Sequence, residues 1–260
     1  MSVWQQGAPY ERYVGRWGRL VAPEFLHWLD VPAGAAWLDV GSGTGALSAA
    51  VLEATAPASL TGVDSSEGFV AHARSAVPGA TFVVGDARAL PFEDGAFDAV
   101  ISGLVLNFVP DQPRAVAEMT RVARPGGTIA VYVWDYTGRM EMMRHFWGTA
   151  GELYPVAREL DEGQRFSAFE RLEHLESLLS EAGQVGVESR AIDVPTVFRD
   201  FDDYWEPFLG GQGPAPSYVA SLGDEERTRL RERLRERLPV SGDGSISLVA
   251  RAWAARGRKP

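Results

Sequence analysis

Three aspartates and a run of alternating glycines are where this sequence carries groups able to grip a polar ligand. Trp37-Leu38-Asp39-Val40-Gly41-Ser42-Gly43-Thr44-Gly45 reads as a hydrophobic strand that runs into glycine at every second position and then into a helical pattern. Glycines placed this way let a ligand press on bare backbone and present amide N–H groups near a helix start. The spacing is G-x-G-x-G. A dinucleotide fingerprint reads G-x-G-x-x-G, its last glycine serving close helix packing beneath a pyrophosphate. Taken alone, the glycines suit a structural turn as well as a ligand loop. Asp64 stands 23 positions beyond Gly41, at the end of a second strand pattern. A carboxylate there can take both hydroxyls of a ribose, or it can simply begin a turn before the helix-start residues Ser66 and Glu67. Asp86 follows a third strand pattern in Val84-Gly85-Asp86-Ala87, where a carboxylate can accept from an amino group such as adenine N6.

Such groups converge only if strand ends are brought side by side. Between Ala35 and Trp134 short β-branched runs alternate with helical patterns, the rhythm of strand–helix–strand units and a parallel sheet. The sequence predicts strands over Ala36–Val40, Ser59–Val63, Thr81–Val84, Phe97–Ser102 and Thr128–Trp134, with helices over Ala46–Ala54, Glu67–Val77 and Gln112–Val122. Upstream, Ala22–Trp28 reads as a helix. Downstream, Asp135–Leu160 is rich in Met and aromatic residues, Phe169–Ala182 is helical, and Val185–Val194 and Ser245–Trp253 are late strands. The expected architecture is α/β, a doubly wound, mostly parallel seven-stranded sheet with an inserted helical lid. The expected organisation is an N-terminal helical cap (1–34), an α/β core that binds the ligand (35–135), a helical lid with a core helix (136–184), and late strands with inserted helices (185–260).

Composition narrows the function. The chain has 260 residues, 25 Lys and Arg against 35 Asp and Glu for a net charge of −10, 45% hydrophobic content and no cysteine. Lacking sulfur of that kind, it has no disulfide framework, cysteine-ligated zinc, thiolate nucleophile or cysteine-held iron–sulfur cluster. Net acidity speaks against nucleic acid, which is held mainly by Lys and Arg that displace counterions. The first thirty residues carry Glu11, Arg12, Arg16 and Arg19 without an unbroken apolar stretch, so no secretory signal is expected. No run reaches the ~18 apolar residues of a spanning helix, and the expectation is a soluble cytoplasmic protein without a membrane partner. Asp224–Leu238 holds six arginines and five carboxylates, with Leu230, Leu234 and Leu238 on one stripe. That pattern suits a salt-bridged helix docked on the domain, or one supporting a homodimer, better than a nucleic-acid contact.

With LDVGSGTG at Leu38–Gly45, GVDSS at Gly62–Ser66, GDARALPFEDGAFDAV at Gly85–Val100 and RPGG at Arg124–Gly127 in that order, the chain resembles the class I S-adenosylmethionine-dependent methyltransferases. The likeness is to the small-molecule group that includes ubiquinone/menaquinone C-methyltransferase-like proteins. The resemblance covers about Tyr10 to Trp134 and implies a Rossmann-like methyltransferase fold with S-adenosyl-L-methionine as cofactor. It implies that Asp39 and the backbone of Gly41, Ser42 and Gly43 line the methionine moiety, and that Asp64, with Ser65 beside it, holds the ribose. Asp86 and Ala87 then meet adenine, and Ser102 contacts the cofactor through its backbone. Tyr13 and Arg16 resemble residues that cover the cofactor, the arginine being able to pair its carboxylate. Many relatives carry histidine after the fourth strand, whereas this chain has Asn107.

Methyl transfer from a sulfonium needs chiefly alignment of the acceptor and exclusion of water. Of the histidines His27, His72, His145 and His174, only His145, in the presumed lid, is a candidate base. Trp134, Tyr136, Phe146 and Trp147 follow the fifth strand and could form an apolar or aromatic acceptor pocket, or simply core beneath an inserted helix. The expected function is methyl transfer to a small-molecule acceptor. The alternatives are a non-catalytic S-adenosylmethionine-binding protein and a nicotinamide-dependent oxidoreductase, against which glycine spacing and Asp86 speak.

Overall fold

Short β-branched runs become strands here because helices cover both of their faces, so near-continuous apolar sequence is buried without alternation. The computed structural model describes residues 15–211 and 213–260. Its strands are β1 (Ala36–Val40), β2 (Ser59–Asp64), β3 (Thr81–Val84), β4 (Phe97–Gly103), β5 (Ala123–Trp134), β6 (Val185–Phe198) and β7 (Ile246–Arg258). They form a seven-stranded sheet in the order β3-β2-β1-β4-β5-β7-β6. Pairing is parallel from β3 through β5. Against β5, β7 runs antiparallel: the Gly126 N–H donates to the Lys259 carbonyl at 2.8 Å and the Lys259 N–H to that of Gly127 at 3.1 Å. This is the expected doubly wound, mostly parallel sheet, with its order reversing between β1 and β4. Ligands of open parallel sheets bind at that reversal, beyond the carboxyl ends of the strands.

The α-helices are α1 (Arg16–Leu29), α2 (Ala46–Thr55), α3 (Glu67–Ala76), α4 (Gln112–Val122), α5 (Glu141–Leu153), α6 (Glu162–Arg165), α7 (Leu172–Glu181), α8 (Phe201–Trp205), α9 (Pro214–Ser221) and α10 (Asp224–Arg237). Local chemistry sets several boundaries. The Ser66 hydroxyl accepts from the Phe69 N–H to open α3, and Asp111 accepts from the Arg114 N–H to open α4. Other boundaries depart from the sequence reading. β5 begins at Ala123 instead of Thr128, because Ala123 pairs with Phe97 across a register shift and Gly126–Gly127 pairs with the end of β7. β6 and β7 likewise run past Val194 and Trp253. α1 starts at Arg16 and carries Pro23 inside it.

The chain divides into two compact units. The first comprises Gly18–Val133, Arg171–Ile192 and Ala252–Pro260, and its core is built on Phe25, Trp37, Leu38, Phe82, Ile101, Met119 and Ile129. The second comprises Arg16 and Trp17 with Trp134–Glu170 and Asp193–Arg251, and its interior is aromatic. Phe146 stacks on Phe208 with centroids 4.4 Å apart, Tyr204 meets Phe198 edge-on at 5.2 Å, and the Tyr204 hydroxyl donates to the Met142 carbonyl. On α10, Leu230 and Leu234 are buried, while Arg233 and Arg237 pair with Glu152 and Arg231 pairs with Asp202. Among the described residues no helix is long and apolar enough to cross a membrane.

Candidate functional site

The glycine turn after β1 lies in the first unit, and three of its residues take left-handed backbone: Gly41 at φ 75°, Gly43 at φ 52° and Gly45 at φ 88°. Each is glycine for its own reason. A Cβ on Gly41 would come within 2.4 Å of Val105 Cγ1, and one on Gly45 within 2.9 Å of Val77 Cγ2. At Gly43 a Cβ would meet nothing within 4 Å, so there the bare backbone faces open space. The turn is pinned to β2, with the Gly41 and Ser42 N–H groups both donating to the Val63 carbonyl at 2.7 and 3.0 Å.

Register brings the acidic residues to one edge. Val40 lies opposite Val63, Asp64 opposite Val84, and Asp39 opposite Ile101 of β4. Asp39 is buried and its Oδ2 accepts from the Ser48 hydroxyl at 2.7 Å, while its Oδ1 has no hydrogen-bond partner. Burial above all pushes its carboxyl up to about 7; the charge of Asp64 adds to this and the Ser48 hydrogen bond opposes it. Asp64 accepts from the Gly43 N–H at 3.0 Å on one oxygen and from the Ser66 N–H at 2.9 Å on the other. Burial raises its pKa, and backbone donors from Ser66, Gly43 and Ser65 oppose the rise. Each oxygen keeps a lone pair for a further donor. Ser65, next along, is exposed.

Asp86 lies beyond β3, one residue after Gly85, whose N–H donates to the Asp64 carbonyl at 3.0 Å. Its two oxygens are gripped by the Arg88 guanidinium at 2.7–3.2 Å, and the Arg88 N–H adds a bond to Oδ1 at 2.8 Å. That pair holds the carboxyl below its ordinary range. With both partners well exposed it is a weak tie, and Arg88 must yield if the carboxylate is to meet a base. Ala87 is half-buried. The segment is anchored from α4: Arg121 donates to the carbonyls of Leu90 at 3.0 Å and Phe92 at 2.8 Å, and Glu118 accepts from the Leu90 N–H at 2.9 Å.

Ser102 is buried on β4, opposite Val131. The loop that follows holds Leu104 at φ 61°, a strained conformation for a branched residue, and then Val105 against Gly41. Asn107 comes next, 7% exposed, with neither its amide nitrogen nor its oxygen hydrogen-bonded. The Ser42 hydroxyl is also buried without a partner. Folded proteins rarely leave such atoms unpaired. Here they cluster by sequence and register about the reversal of strand order: Asp39 Oδ1, Ser42 Oγ and the Asn107 amide, beside open backbone at Gly43. This donor and acceptor set fits the amino-acid and nucleoside parts of the expected cofactor.

The other candidates fall elsewhere. Tyr13 lies outside the described residues. Arg16 belongs to the second unit, where Nη1 donates to Asp203 Oδ1 at 3.1 Å. His145 is half-buried on α5 of that unit, with its pKa lowered chiefly by burial. Trp134, Tyr136, Phe146 and Trp147 are all buried there, and Phe146 and Trp147 pack against each other and Tyr218. Sequence reasoning missed the Glu118–Arg121 anchor and the buried Glu162, whose Oε2 accepts from Trp147 Nε1; neither has a local signature. Among the described residues no group of three His, Asp or Glu side chains could hold a metal ion.

Comparison with known proteins identifies the lineage of the chain. A family profile for a methyltransferase domain matches residues 38–131. The chain is 32% identical over 188 residues to a 2-methyl-6-phytyl-1,4-hydroquinone methyltransferase of Synechocystis, covering 70% of this chain and 57% of that protein. It is 43% identical over 107 residues to a demethylmenaquinone methyltransferase of Shouchella clausii, covering 39% and 46%; the match thus spans about half the length of these relatives. A demethylmenaquinone methyltransferase of Staphylococcus aureus is 32% identical over 179 residues, covering 63% of this chain and 73% of that one. Among solved structures, a Bacillus halodurans protein assigned as a methyltransferase superposes with a TM-score of 0.58 at 17% identity, covering 92% of this chain and 98% of that one. A Haemonchus contortus phosphoethanolamine N-methyltransferase 2 in complex with S-adenosyl-L-methionine gives 0.57 at 17% identity, covering 93% and 52%. The structures speak for the fold and the curated relatives for the lineage: the chain belongs to the class I S-adenosylmethionine-dependent methyltransferases.

Proposed function

We propose that this protein transfers a methyl group from S-adenosylmethionine to a small-molecule acceptor built on an aromatic ring. The observation that carries the reading is the set of unpaired buried polar atoms, Asp39 Oδ1, Ser42 Oγ and the Asn107 amide, at the reversal of strand order beside the open backbone of Gly43. Asp39 would take the methionine ammonium, with Gly41, Ser42 and Gly43 along that moiety. Asp64 and Ser65 would hold the ribose, Asp86 and Ala87 the adenine, and the Ser102 backbone would close the edge. Bound there, S-adenosylmethionine supplies a methyl carbon on a positively charged sulfur, already activated for displacement. An acceptor's electron pair would then form the new bond to that carbon, the carbon–sulfur pair leaving with sulfur. Asn107 can orient an acceptor but cannot take its proton, which suits an acceptor that arrives ionised or needs no base. Support for a ring-bearing acceptor comes from relatives named for hydroquinone and menaquinone methylation. The proposal places the protein in the cytoplasm, with neither nucleic acid nor membrane as partner.

Calorimetry tests it directly. S-adenosylmethionine and S-adenosylhomocysteine should both bind, and Asp64→Ala should weaken both by about 1.5–3 kcal/mol, the worth of hydrogen bonds to a charged group. Unchanged affinity would defeat the ribose assignment. A panel of hydroquinones and phenols, read by mass spectrometry for one added methyl, tests turnover; binding without any methylated product would make the protein a non-catalytic binder.

A further inference from the structure

Helix α2 begins without a cap of its own. Gly45 stands at its N-cap with no side chain to accept a hydrogen bond, and the first turn holds no acidic residue. The Ala49 N–H closes that turn on the Gly45 carbonyl at 2.8 Å, which leaves the N–H groups of Ala46, Leu47 and Ser48 without a carbonyl inside the helix. Asp39, on β1 in the same compact unit, supplies an acceptor from outside: its Oδ2 accepts from the Ser48 hydroxyl at 2.7 Å, and the Ser48 N–H also bonds to the carboxyl. Ser48 is 0% exposed and Asp39 1%, so bulk water does not compete for these bonds. Oδ1 is left without a partner.

A carboxyl this deeply buried is costly to ionise, and the charged groups around it do not help. Asp64, on β2, acts against ionisation. Asp98, the acidic residue of β4, is tied to the Ala36 N–H at 2.6 Å, at the other end of β1, and to Arg124. Glu53, on α2, is exposed. None of β1, β2, β4 and α2 contains a lysine or an arginine. Two donors of one serine, its hydroxyl and its N–H, are thus what favours the charged form of Asp39 and fixes which oxygen is occupied.

We infer that Ser48 is a positioning residue for cofactor binding: it engages Oδ2 of Asp39 so that Oδ1 stays open to a cationic donor, the ammonium of the methionine moiety. This rests on the methyltransferase reading and goes beyond it by giving the carboxylate the partner through which it is aimed and kept charged. Removing the hydroxyl leaves Asp39 buried with less reason to ionise, so the pH at which it can hold an ammonium rises.

Calorimetric titration of S-adenosylhomocysteine between about pH 6 and about pH 8.5 tests the inference. Wild-type affinity should climb as pH rises through about 7, where Asp39 ionises. In Ser48→Ala the climb should lie about one pH unit higher, with affinity about fivefold lower near pH 7 and within about twofold of the wild type at about pH 8.5. Ser48→Thr, which keeps a hydroxyl, should hold the wild-type midpoint. In an Asp39→Asn background, Ser48→Ala should leave the pH dependence unchanged. Burial raises the pKa of Asp64 as well, so the result is carried by comparing proteins that share it. A Ser48→Ala curve lowered equally at every pH, as a merely structural loss would give, or one that overlays the wild type, would overturn the role of Ser48. Should Ser48→Ala fail to fold, as its circular dichroism would show, Ser48→Cys, near in volume and a weak donor, is read against the same expectation. A wild type that binds equally well at every pH would also overturn that role and leave the cofactor reading standing. One that binds S-adenosylhomocysteine at no pH would refute the cofactor reading, and the role of Ser48 with it.

Discussion

Replacing Asp39 by asparagine separates two effects of one carboxyl, its cost to the empty fold and its use to a bound cation. Asp39 has its pKa pushed from an ordinary 3.8 up to about 7, mostly by burial. A group raised in this way favours the folded state below the ordinary value, and that contribution is lost as pH climbs through the folded one. Each tenfold change in protonation is worth about 1.4 kcal/mol, so the ionised form withholds about 4 kcal/mol from the empty fold above neutrality. Of that, about 2–3 kcal/mol accrues between about pH 5 and pH 8. Asparagine keeps an oxygen for the Ser48 hydroxyl and cannot ionise. Without cofactor, the melting temperature of the wild type should therefore fall relative to Asp39→Asn across that interval, by on the order of 5–10 °C for a chain of this size. Glu162, pushed up to about 8, titrates over the same range. The readout is thus the difference between the two proteins, not the slope of either. Calorimetry at the upper end should show the reverse ranking for S-adenosylhomocysteine, with the asparagine variant binding more weakly because it lacks the carboxylate proposed to meet the ammonium. Parallel curves of melting temperature against pH would refute the burial argument.

Two more outcomes follow from the same physics. Glu162 is buried on α6, and burial is the main cause of its raised pKa, opposed by the Trp147 hydrogen bond; Glu162→Gln should melt higher than the wild type near about pH 8 and match it more closely near about pH 5. Arg121→Ala removes the donor to Leu90 and Phe92 and a partner of the buried Glu118. It should cost about 3 kcal/mol in urea unfolding and speed hydrogen exchange in residues 85–95, with weaker cofactor binding because Asp86 and Ala87 ride on that segment.

Much of the sheet and one side of the site could be read along the chain, because they depend on local rules. A strand covered on both faces needs unbroken apolar sequence, and a helix opened by a capping aspartate announces its start, so β1 and α4 appear at their expected limits. Left-handed backbone favours glycine, so Gly41, Gly43 and Gly45 mark the turn. An aspartate at the end of each of three parallel strands comes to one edge once those strands lie in register, as Asp39, Asp64 and Asp86 do. What chain order could not disclose is which polar group each side chain finds. The Arg88 grip on Asp86, the Arg121 anchor on Leu90 and Phe92, and the pairing of Arg16 with Asp203 across 187 residues arise when packing brings side chains to their partners. Nothing in residue spacing records the desolvation that raises Asp39, or the buried atoms of Ser42 and Asn107 that stay unpaired. Periodicity and backbone conformation are local properties, whereas burial and partner choice belong to the folded volume, so the likeness to a cofactor-binding sheet came from sequence and the polar atoms left unpaired at its edge came from the fold.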